Sequence, residues 1–366
     1  MKHAIIIILL AALCACGKVN PPASEQTGPR MLYVSPLGKD TDDGTFDSPM
    51  QTLNAVCTKL KTEAPDTDVE VRCLSTAGTY WNQFTTWTYW NTSHKTTITS
   101  HPVGTRARFE MADSAGCTSP FFTFNAEAGV ATNLRIENLL VLNYNAGAIY
   151  LTGSWPDESP VKWNGYNRIS NCIFANIGNC NRPALFPCFG VLDFVRSICN
   201  TVDGCIFYRC ENERAGASPI IGIYLAHGSR GNVIRNNLFR GIGGNTIKLR
   251  DGSNANLIEH NTFIRCGRRQ RISANIISWY CNENLMDLDC MFTHEGASDS
   301  TIILNNVARG QFNCSLAVLW TDLMLVLPPT AKCDPCIGDT SHVTFSGNSF
   351  AECQVSDYAA NDIPPY

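Results

Sequence analysis

Two stretches of this chain, GIYLAHGSRGNVIRNNLF at residues 222–239 and TIKLRDGSNANLIEHNTF at residues 246–263, align without a gap at a period of 24 residues. They share an alternating Ile and Leu, a Gly-Ser pair, and a second short segment that ends in Asn and Phe. Such alternation is typical of β-strands with one buried face, and the Gly-Ser pair indicates a turn. One unit cannot bury its inner face alone, so the units are predicted to stack.

The second half of this unit recurs seven times. A typical copy has an aliphatic residue, a spacer, usually Asn or Gly, a small or polar residue, and a closing apolar pair, and individual copies depart from this at one or two positions. Successive copies are 33, 33, 32, 24, 45 and 42 residues apart, as in a solenoid whose strands repeat while its loops vary. Asn tolerates the left-handed backbone of a bend, and stacked Asn side chains can bond to each other along the axis. The copies occupy residues 136–141, 169–174, 202–207, 234–239, 258–263, 303–308 and 345–350.

This phrase resembles that of right-handed parallel β-helices of the pectin-lyase type, over roughly residues 134–350. The resemblance implies an all-β solenoid, and we expect one domain over residues 31–366 with about seven to nine coils. A capping strand and helix at residues 31–63 would cover the open end of the stack. The helix is predicted from Met50 to about Lys61, with Ser48 as its N-cap and Pro49 at its first position. The acidic cluster at residues 40–47 lacks the spacing of a calcium loop and is interpreted as a solvated turn.

The N-terminus is typical of an exported protein. Lys2 and His3 precede an apolar run that ends in Leu13-Cys-Ala-Cys16. Residues 1–16 resemble a bacterial lipoprotein signal peptide, which implies cleavage before Cys16 and acylation of that thiol. Residues 17–30 are predicted to be a flexible tether, and Gly17 favours the outer membrane or cell surface. An ordinary secretory signal peptide cut nearby is the alternative.

The chain has 18 cysteines, too many for a reducing compartment. Without Cys14 and Cys16 an even number remains, so we expect a disulfide-rich domain. Cys172 and Cys205 occupy the same slot of successive copies and are predicted to form a bridge. Cys57 and Cys73, which flank the helix, are a second predicted pair. Cys333 and Cys336 have metal-like spacing without a second ligand pair, so a disulfide is favoured there too.

The net charge and the distribution of charged residues limit which kinds of molecule the protein can bind. The net charge of -4 argues against a nucleic-acid binder. Residues 230–271 nevertheless hold eight Arg and one Lys against Asp251 and Glu259. We expect a cationic band across two or three coils that binds an anionic partner. The alternative is that these arginines pair with acids from elsewhere in the chain.

The 24-residue period places side chains of neighbouring coils beside each other, about 4.8 Å apart. It puts Tyr224 beside Lys248, Ala226 beside Arg250, and His227 beside Asp251. Tyr150 is interpreted as the matching outward Tyr of an earlier coil. Aromatic rings stack on sugars and guanidinium groups hold carboxylates, so the predicted partner is an acidic polysaccharide. Arg250, Tyr150, Arg268 and Asp251 are the predicted substrate-binding residues.

Cleavage of a uronate by β-elimination requires neutralisation of its carboxylate and a base for the neighbouring proton. Lys248 is the predicted base, because crowding by cations lowers an ammonium pKa while guanidinium stays charged. Tyr224 or His227 would protonate the leaving oxygen. The pattern resembles the alginate lyase and chondroitinase B family, which pairs a Lys with an Arg about one coil later. That resemblance implies Arg269 or Arg271 as the Arg, although the acidic residues that the family places ahead of its Lys are absent here.

Other chemistries fit the sequence less well. His227-Gly228 and Ile247-Lys248 are fragments of a polygalacturonase pattern without its aspartate pair, and this leaves a glycoside hydrolase as an alternative. Asp193 and Asp251 give thin support for a calcium-dependent pectate lyase. We predict no cofactor, with calcium left open, a monomer, and membrane contact through the lipid anchor only. A non-catalytic adhesion or envelope protein is the rival from another class. His260 is predicted to be a ladder residue, and the groove rim is predicted to hold Asp287, Asp289, His294 and Glu295.

Overall fold

The structure is a computed structural model that describes residues 28–112, 119–125, 131–154, 159–178, 190–211, 220–267, 273–278, 298, 300–309, 314–319, 336–337 and 343–351. Three long sheets run along the molecule, and each coil adds one strand to each sheet in turn. Neighbouring strands in these sheets pair in parallel. The predicted parallel β-helix is therefore confirmed.

The sheets are named in the order in which the chain enters them. The first sheet contains β1 (Arg30–Val34), β2 (Val69–Leu74), β5 (Thr96–His101), β8 (Leu134–Glu137), β12 (Arg168–Ser170), β16 (Thr201–Asp203), β19 (Val233–Arg235), β22 (Leu257–Glu259), β25 (Thr301–Leu304) and β29 (Val343–Ser346). The second sheet contains β3 (Tyr80–Trp81), β6 (Ala107–Glu110), β9 (Leu139–Leu142), β13 (Ile173–Ala175), β17 (Ile206–Tyr208), β20 (Leu238–Arg240), β23 (Thr262–Ile264), β26 (Val307–Arg309) and β30 (Ser349–Ala351).

The third sheet contains β4 (Thr85–Trp87), β7 (Phe122–Asn125), β10 (Ile149–Thr152), β14 (Gly190–Val195), β18 (Ile221–Ala226), β21 (Ile247–Leu249), β24 (Ser273–Ser278), β27 (Cys314–Leu319) and β28 (Cys336–Ile337). A short pair, β11 (Asn164–Gly165) and β15 (Ser197–Ile198), lies in the connections from the third sheet to the first. A single 3₁₀ turn spans Ser75–Ala77.

The bend between the first and second sheets uses the repeated phrase as predicted. Its third residue has a left-handed backbone in all seven copies, and an Asn, Gly or His tolerates this conformation. His260 occupies one of these positions, with φ 54°, and its Nε2 lies 3.4 Å from the amide nitrogen of Asn305 in the next coil. The interpretation of His260 as a ladder residue is correct for its left-handed slot only, because the buried amide ladder runs through the residue after it.

An amide ladder forms inside the bend, but at the fourth residue of the phrase rather than at the left-handed third residue where it was predicted. Asn237 donates to Asn261 at 3.0 Å, Asn261 to Asn306 at 3.0 Å, and Asn306 to Asn348 at 2.9 Å. A second ladder, which we did not predict, lies in the bend between the third and first sheets. There Asn167 donates to Asn200, Asn200 to Asn232, and Asn232 to Asn256, at 2.9, 2.9 and 3.0 Å. The amides thus satisfy each other where burial would otherwise be costly.

The closing apolar residue of the phrase fills the core. Phe174, Phe207, Phe239 and Phe263 are fully buried, with successive ring centroids 5.2, 4.5 and 5.2 Å apart. Aromatic pairs at this separation add to the stability gained from burial alone.

The helix α1 (Leu53–Glu63) lies against β1 and β4, the first strands of the first and third sheets. Its Leu53, Val56 and Leu60 are buried in the core. The predicted N-cap Ser48 is wrong: Thr52 is the N-cap, and its hydroxyl accepts from the Ala55 amide. The reason is Asp40, whose Oδ1 accepts from the Thr52 amide at 2.8 Å and thereby sets a later helix start.

The expected disulfide-rich character is wrong for the described residues, in which Cys57, Cys73, Cys172, Cys199, Cys205, Cys210 and Cys266 are free thiols. The predicted bridges Cys172–Cys205 and Cys57–Cys73 are absent. Cys172 and Cys205 do stack in one slot, but their Sγ atoms lie 3.6 Å from the carbonyl oxygens of Ile136 and Ile169. Buried Cys of this kind packs as a small apolar side chain. Cys333 lies outside the described residues.

Within the described ranges, no helix has the length and apolarity needed to span a membrane. Residues 1–27, including Cys16, lie outside the described residues.

Candidate functional site

One row of side chains on the outside of the third sheet holds most of the predicted site. The strand register places Tyr150 beside Asp193, Asp193 beside Tyr224, and Tyr224 beside Lys248. These residues alternate with fully buried neighbours such as Leu192, so their side chains point away from the core. We call Tyr150, Asp193, Tyr224 and Lys248 the outer column. The predicted pairing of Tyr224 with Lys248 is confirmed.

The outer column is less open than expected. Tyr224 is 8% exposed and Lys248 is 5% exposed, whereas Tyr150 and Asp193 are partly exposed. Tyr224 packs in a buried apolar cluster with Val195, Ile221 and Ala226. Tyr224 and Lys248 are therefore covered although they point outward, because strand alternation determines the direction of a side chain but not what packs on it.

The Tyr150 side chain contacts the residues that directly precede its own strand, β10. Its hydroxyl donates to the Ala146 carbonyl oxygen at 2.5 Å. Gly147 has φ 114°, and a Cβ there would lie 2.6 Å from the Tyr150 ring. Only glycine therefore permits this close approach of ring and backbone.

Arg250 follows β21 and brings a guanidinium group to the column. Its backbone amide donates to the Leu225 carbonyl oxygen at 2.9 Å, which places it next to Ala226 as predicted. Its Nη1 donates to the Tyr224 hydroxyl at 3.5 Å. Lys248, Tyr224 and Arg250 thus lie together at one point of the third sheet.

His227 and Asp251 form the predicted pair. The two residues have left-handed backbones in successive coils, and His227 Nδ1 lies 2.5 Å from Asp251 Oδ2. The His227 side chain is only 3% exposed. A carboxylate in this position fixes the orientation of an imidazole ring.

Trp163 and Arg230 lie next to this pair, and sequence reasoning did not select either of them for the site. A Cβ on Gly228 would lie 3.4 Å from the Trp163 ring. The Arg230 guanidinium carbon lies 4.7 Å from the centroid of that ring. The position of Gly228 directly after His227 was the available signal, because a glycine marks a close approach.

Asp193, which the sequence supports only weakly as a calcium ligand, lies within the outer column. Its Oδ1 is enclosed and has no hydrogen-bond partner among the described residues. Burial raises the pKa of its carboxyl to about 7.

The expected cationic band is wrong in its geometry. Lys248 and Arg250 lie on the third sheet, Arg235 pairs with Asp203 on the first sheet, and Arg240 lies 5.9 Å from the Tyr208 ring on the second. A 24-residue coil passes through all three sheets, so neighbouring cations are spread around its circumference. Arg235 follows the alternative interpretation, in which arginines pair with acids from elsewhere. Arg268, Arg269 and Arg271 lie outside the described residues, as do the predicted rim residues at 287–295.

In the part of the chain that the structure describes, no three His, Cys, Asp or Glu residues lie close enough to hold a metal ion. The acidic cluster at residues 40–47 forms a turn as predicted, in which Asp43 accepts from the Thr45 amide at 3.0 Å. Whether calcium takes part at the site stays a prediction.

No protein-family model and no curated protein matches the chain. Among solved structures, an alginate lyase from Paenibacillus sp. str. FPU-7 matches with a TM-score of 0.49 and 11% identity, over 88% of this chain and 96% of that chain. The catalytic domain of a GH87 α-1,3-glucanase matches with a TM-score of 0.46 and 15% identity, over 82% of this chain and 42% of that chain. Pectate lyase Pel9A matches with a TM-score of 0.44 and 13% identity, over 87% and 79%. These likenesses carry no argument about function, and the fold rests on the strand topology.

Proposed function

We propose that this protein binds an acidic polysaccharide along the outside of the third sheet and cleaves it by β-elimination, with Lys248 as the base. The observation that carries the proposal is that Lys248 lies in register beside Tyr224, whose hydroxyl accepts a hydrogen bond from Arg250. An amine, a phenol and a guanidinium can supply the base, the proton donor and the carboxylate neutralisation that elimination from a uronate requires.

Each group has one role in this proposal. Arg250, with Arg269 or Arg271 as predicted, neutralises the carboxylate of the uronic acid and makes the proton on the adjacent carbon acidic. The uncharged amine of Lys248 removes that proton, and the electron pair of the broken C–H bond forms the new carbon–carbon double bond. The glycosidic C–O bond breaks, and the Tyr224 hydroxyl protonates the leaving oxygen.

The test follows new unsaturated ends by ultraviolet absorbance, with alginate, pectate and chondroitin as substrates, with and without calcium. Lys248→Ala is expected to lower the rate at least about 100-fold, because general base catalysis contributes on that order. Lys95→Ala is the control, since Lys95 is an exposed lysine paired with Asp68 directly before β5, several coils away from Lys248. Equal loss in both variants would contradict the role of Lys248. New reducing ends without unsaturated products would support a glycoside hydrolase instead.

A non-catalytic binding protein for adhesion or envelope structure is the second candidate. The low exposure of Lys248 and Tyr224 favours it, because a catalytic base must reach the proton that it removes. Retention on an acidic glycan without any product, for every substrate above, would decide for this candidate.

We also propose that the protein is exported and anchored through an acylated Cys16, on the support of residues 1–16 alone. Metabolic labelling with an alkyne fatty acid should mark the wild-type protein and not Cys16→Ser. Labelling of both would show that the acyl chain is elsewhere, and labelling of neither would favour an ordinary signal peptide.

A further inference from the structure

Asp193 occupies the centre of the outer column. Its neighbours Leu192 and Phe194 are fully buried in the core, so the carboxyl group points to the outside of β14. Tyr150 and Tyr224 lie directly beside it in register. The column therefore presents a carboxyl group between two phenol rings.

The charged groups near Asp193 do not neutralise it. Its register neighbours on β10 and β18 are the two tyrosines, and the next charged residue along the column is Lys248, two strands or about 10 Å away. Arg196, the residue directly after β14, donates a hydrogen bond to the Ser154 hydroxyl at 3.1 Å. No ion pair joins Asp193 to another described residue, and its Oδ1 is enclosed without a partner among them.

A carboxyl group in such surroundings keeps its proton at a higher pH than usual. Burial raises the pKa of Asp193 to about 7, so the group is a neutral acid below neutral pH. An ionised carboxylate can only accept hydrogen bonds, whereas the neutral acid has an O–H to donate.

We propose that Asp193 determines specificity for an anionic sugar, because its neutral carboxyl donates a hydrogen bond to the carboxylate of a uronic acid residue bound on the outer column. The proposal rests on the proposed binding of an acidic polysaccharide. Once Asp193 ionises, the same position repels that carboxylate. Lys248 lies two strand spacings from Asp193, about 10 Å, so the sugar that Asp193 contacts is not the one at the base.

The test measures the affinity of the mature protein for polygalacturonate and alginate between pH 5.5 and 8.5 at constant ionic strength. If only the neutral form of Asp193 binds, the dissociation constant rises by up to about tenfold per pH unit above the pKa of that group. Asp193→Asn keeps a donor of the same shape and cannot ionise. We expect this variant to bind at pH 8.5 about as tightly as the wild type does at pH 5.5, with its pH dependence lost.

Asp203→Asn is the matched control, because Asp203 belongs to the same coil but lies on the first sheet. It should leave the pH curve unchanged. Asp193→Ala, which has no donor, should bind weakly at every pH.

Two results would overturn the proposal while leaving the binding function intact. One is a wild-type pH curve that Asp193→Asn does not change, which would point to a titrating group other than Asp193. The other is affinity that increases with both pH and added calcium, as expected for an ionised Asp193 that binds a metal. Absence of binding to either glycan at every pH would overturn the proposed function itself.

Discussion

Asp193 and Asp203 lie ten residues apart, on the third and the first sheet respectively, and their surroundings differ in kind. Asp203 accepts hydrogen bonds from Arg168 at 3.0 Å, from Arg235 at 3.1 Å and from Asn236 at 3.0 Å. Burial alone would raise its pKa, but the bonds from Asn236 and Arg235 and the charges of both arginines outweigh burial and lower the pKa. Asp193 has burial without such partners, and its pKa rises to about 7.

The difference separates a structural face from a candidate functional face. On the first sheet, Asp203 and its arginines satisfy each other, so they offer little to a ligand. On the third sheet, the Asp193 carboxyl has no ion-pair partner among the described residues. Perturbed and uncompensated groups of this kind are concentrated at functional sites. The Asp193 surroundings therefore make the third sheet, rather than the first, the candidate face for a site.

The first and third sheets share one interior, and the buried Asn ladder is expected to hold that interior together. The largest expected change in stability therefore comes from a substitution in the ladder. Asn261→Ala removes the amide that accepts from Asn237 and donates to Asn306 and to the Ile234 carbonyl oxygen. Because several buried groups then lack partners, the free energy of unfolding should fall by about 3–5 kcal/mol. Urea unfolding followed by circular dichroism measures the change.

The control for that variant is the preceding residue. His260→Asn places the more frequent residue at an exposed left-handed position, and it should change stability by less than about 0.5 kcal/mol. A loss of less than 1 kcal/mol in Asn261→Ala would show that the ladder does not hold the faces together.

The second largest expected effect is the pH-dependent contribution of Asp193 to stability, which should be opposite in sign to that of Asp203. Because the pKa of Asp193 is higher in the folded state, its ionisation costs stability as pH rises from about 4 to about 7 and is fully unfavourable above that. Asp193→Asn removes this cost and should raise the free energy of unfolding by about 2–4 kcal/mol at pH 8.5, with little effect at pH 4. Chemical unfolding at both pH values measures it. A destabilised variant at pH 8.5 would mean that the ionised carboxylate has a partner in the fold.

Sequence reasoning located Tyr224, Lys248, Arg250 and the His227–Asp251 pair because two coils share a fixed length of 24 residues. When two successive coils have the same number of residues, the residue that lies beside a given one is found by adding that number. Tyr150 and Asp193 are 43 residues apart, across an insertion, so no gap-free alignment could place them side by side. Their adjacency follows only from the strand pairing.

Other misses have different causes. The second Asn ladder was visible in the sequence, since an Asn stands two residues before Ile169, Val202, Ile234 and Ile258, but we took the repeated phrase to begin at those aliphatic residues. The burial of Lys248 was not visible, because alternation carries no information on what packs against an outward side chain. The cysteines were misjudged, because a shared slot brings two thiols near each other without orienting their Sγ atoms toward one another.

A smaller effect concerns Asp203. Its folded-state pKa is lowered, so its ion pairs contribute stability above the unfolded pKa of about 3.9, and this contribution is lost as pH falls through the folded value. Asp203→Asn should therefore destabilise the protein by about 1 kcal/mol at pH 7 and by less at pH 3. Unfolding midpoints at the two pH values measure it. An effect that grows toward acid pH would reverse the contrast with Asp193.

The smallest expected effect concerns Arg168, and it tests how much an exposed ion pair on the first sheet contributes to stability. Arg168 is a partly exposed partner of Asp203, so Arg168→Ala should cost at most about 0.5 kcal/mol at low salt and nothing measurable at high salt. Arg135 lies in register beside Arg168 and forms no ion pair with a described residue, so Arg135→Ala is the control and should be neutral or slightly stabilising. Thermal unfolding at low and high salt measures both. If Arg168→Ala instead lost much stability at both low and high salt, the Arg168–Asp203 ion pair would be as shielded from solvent as Asp193. Burial would then not distinguish the first sheet from the third.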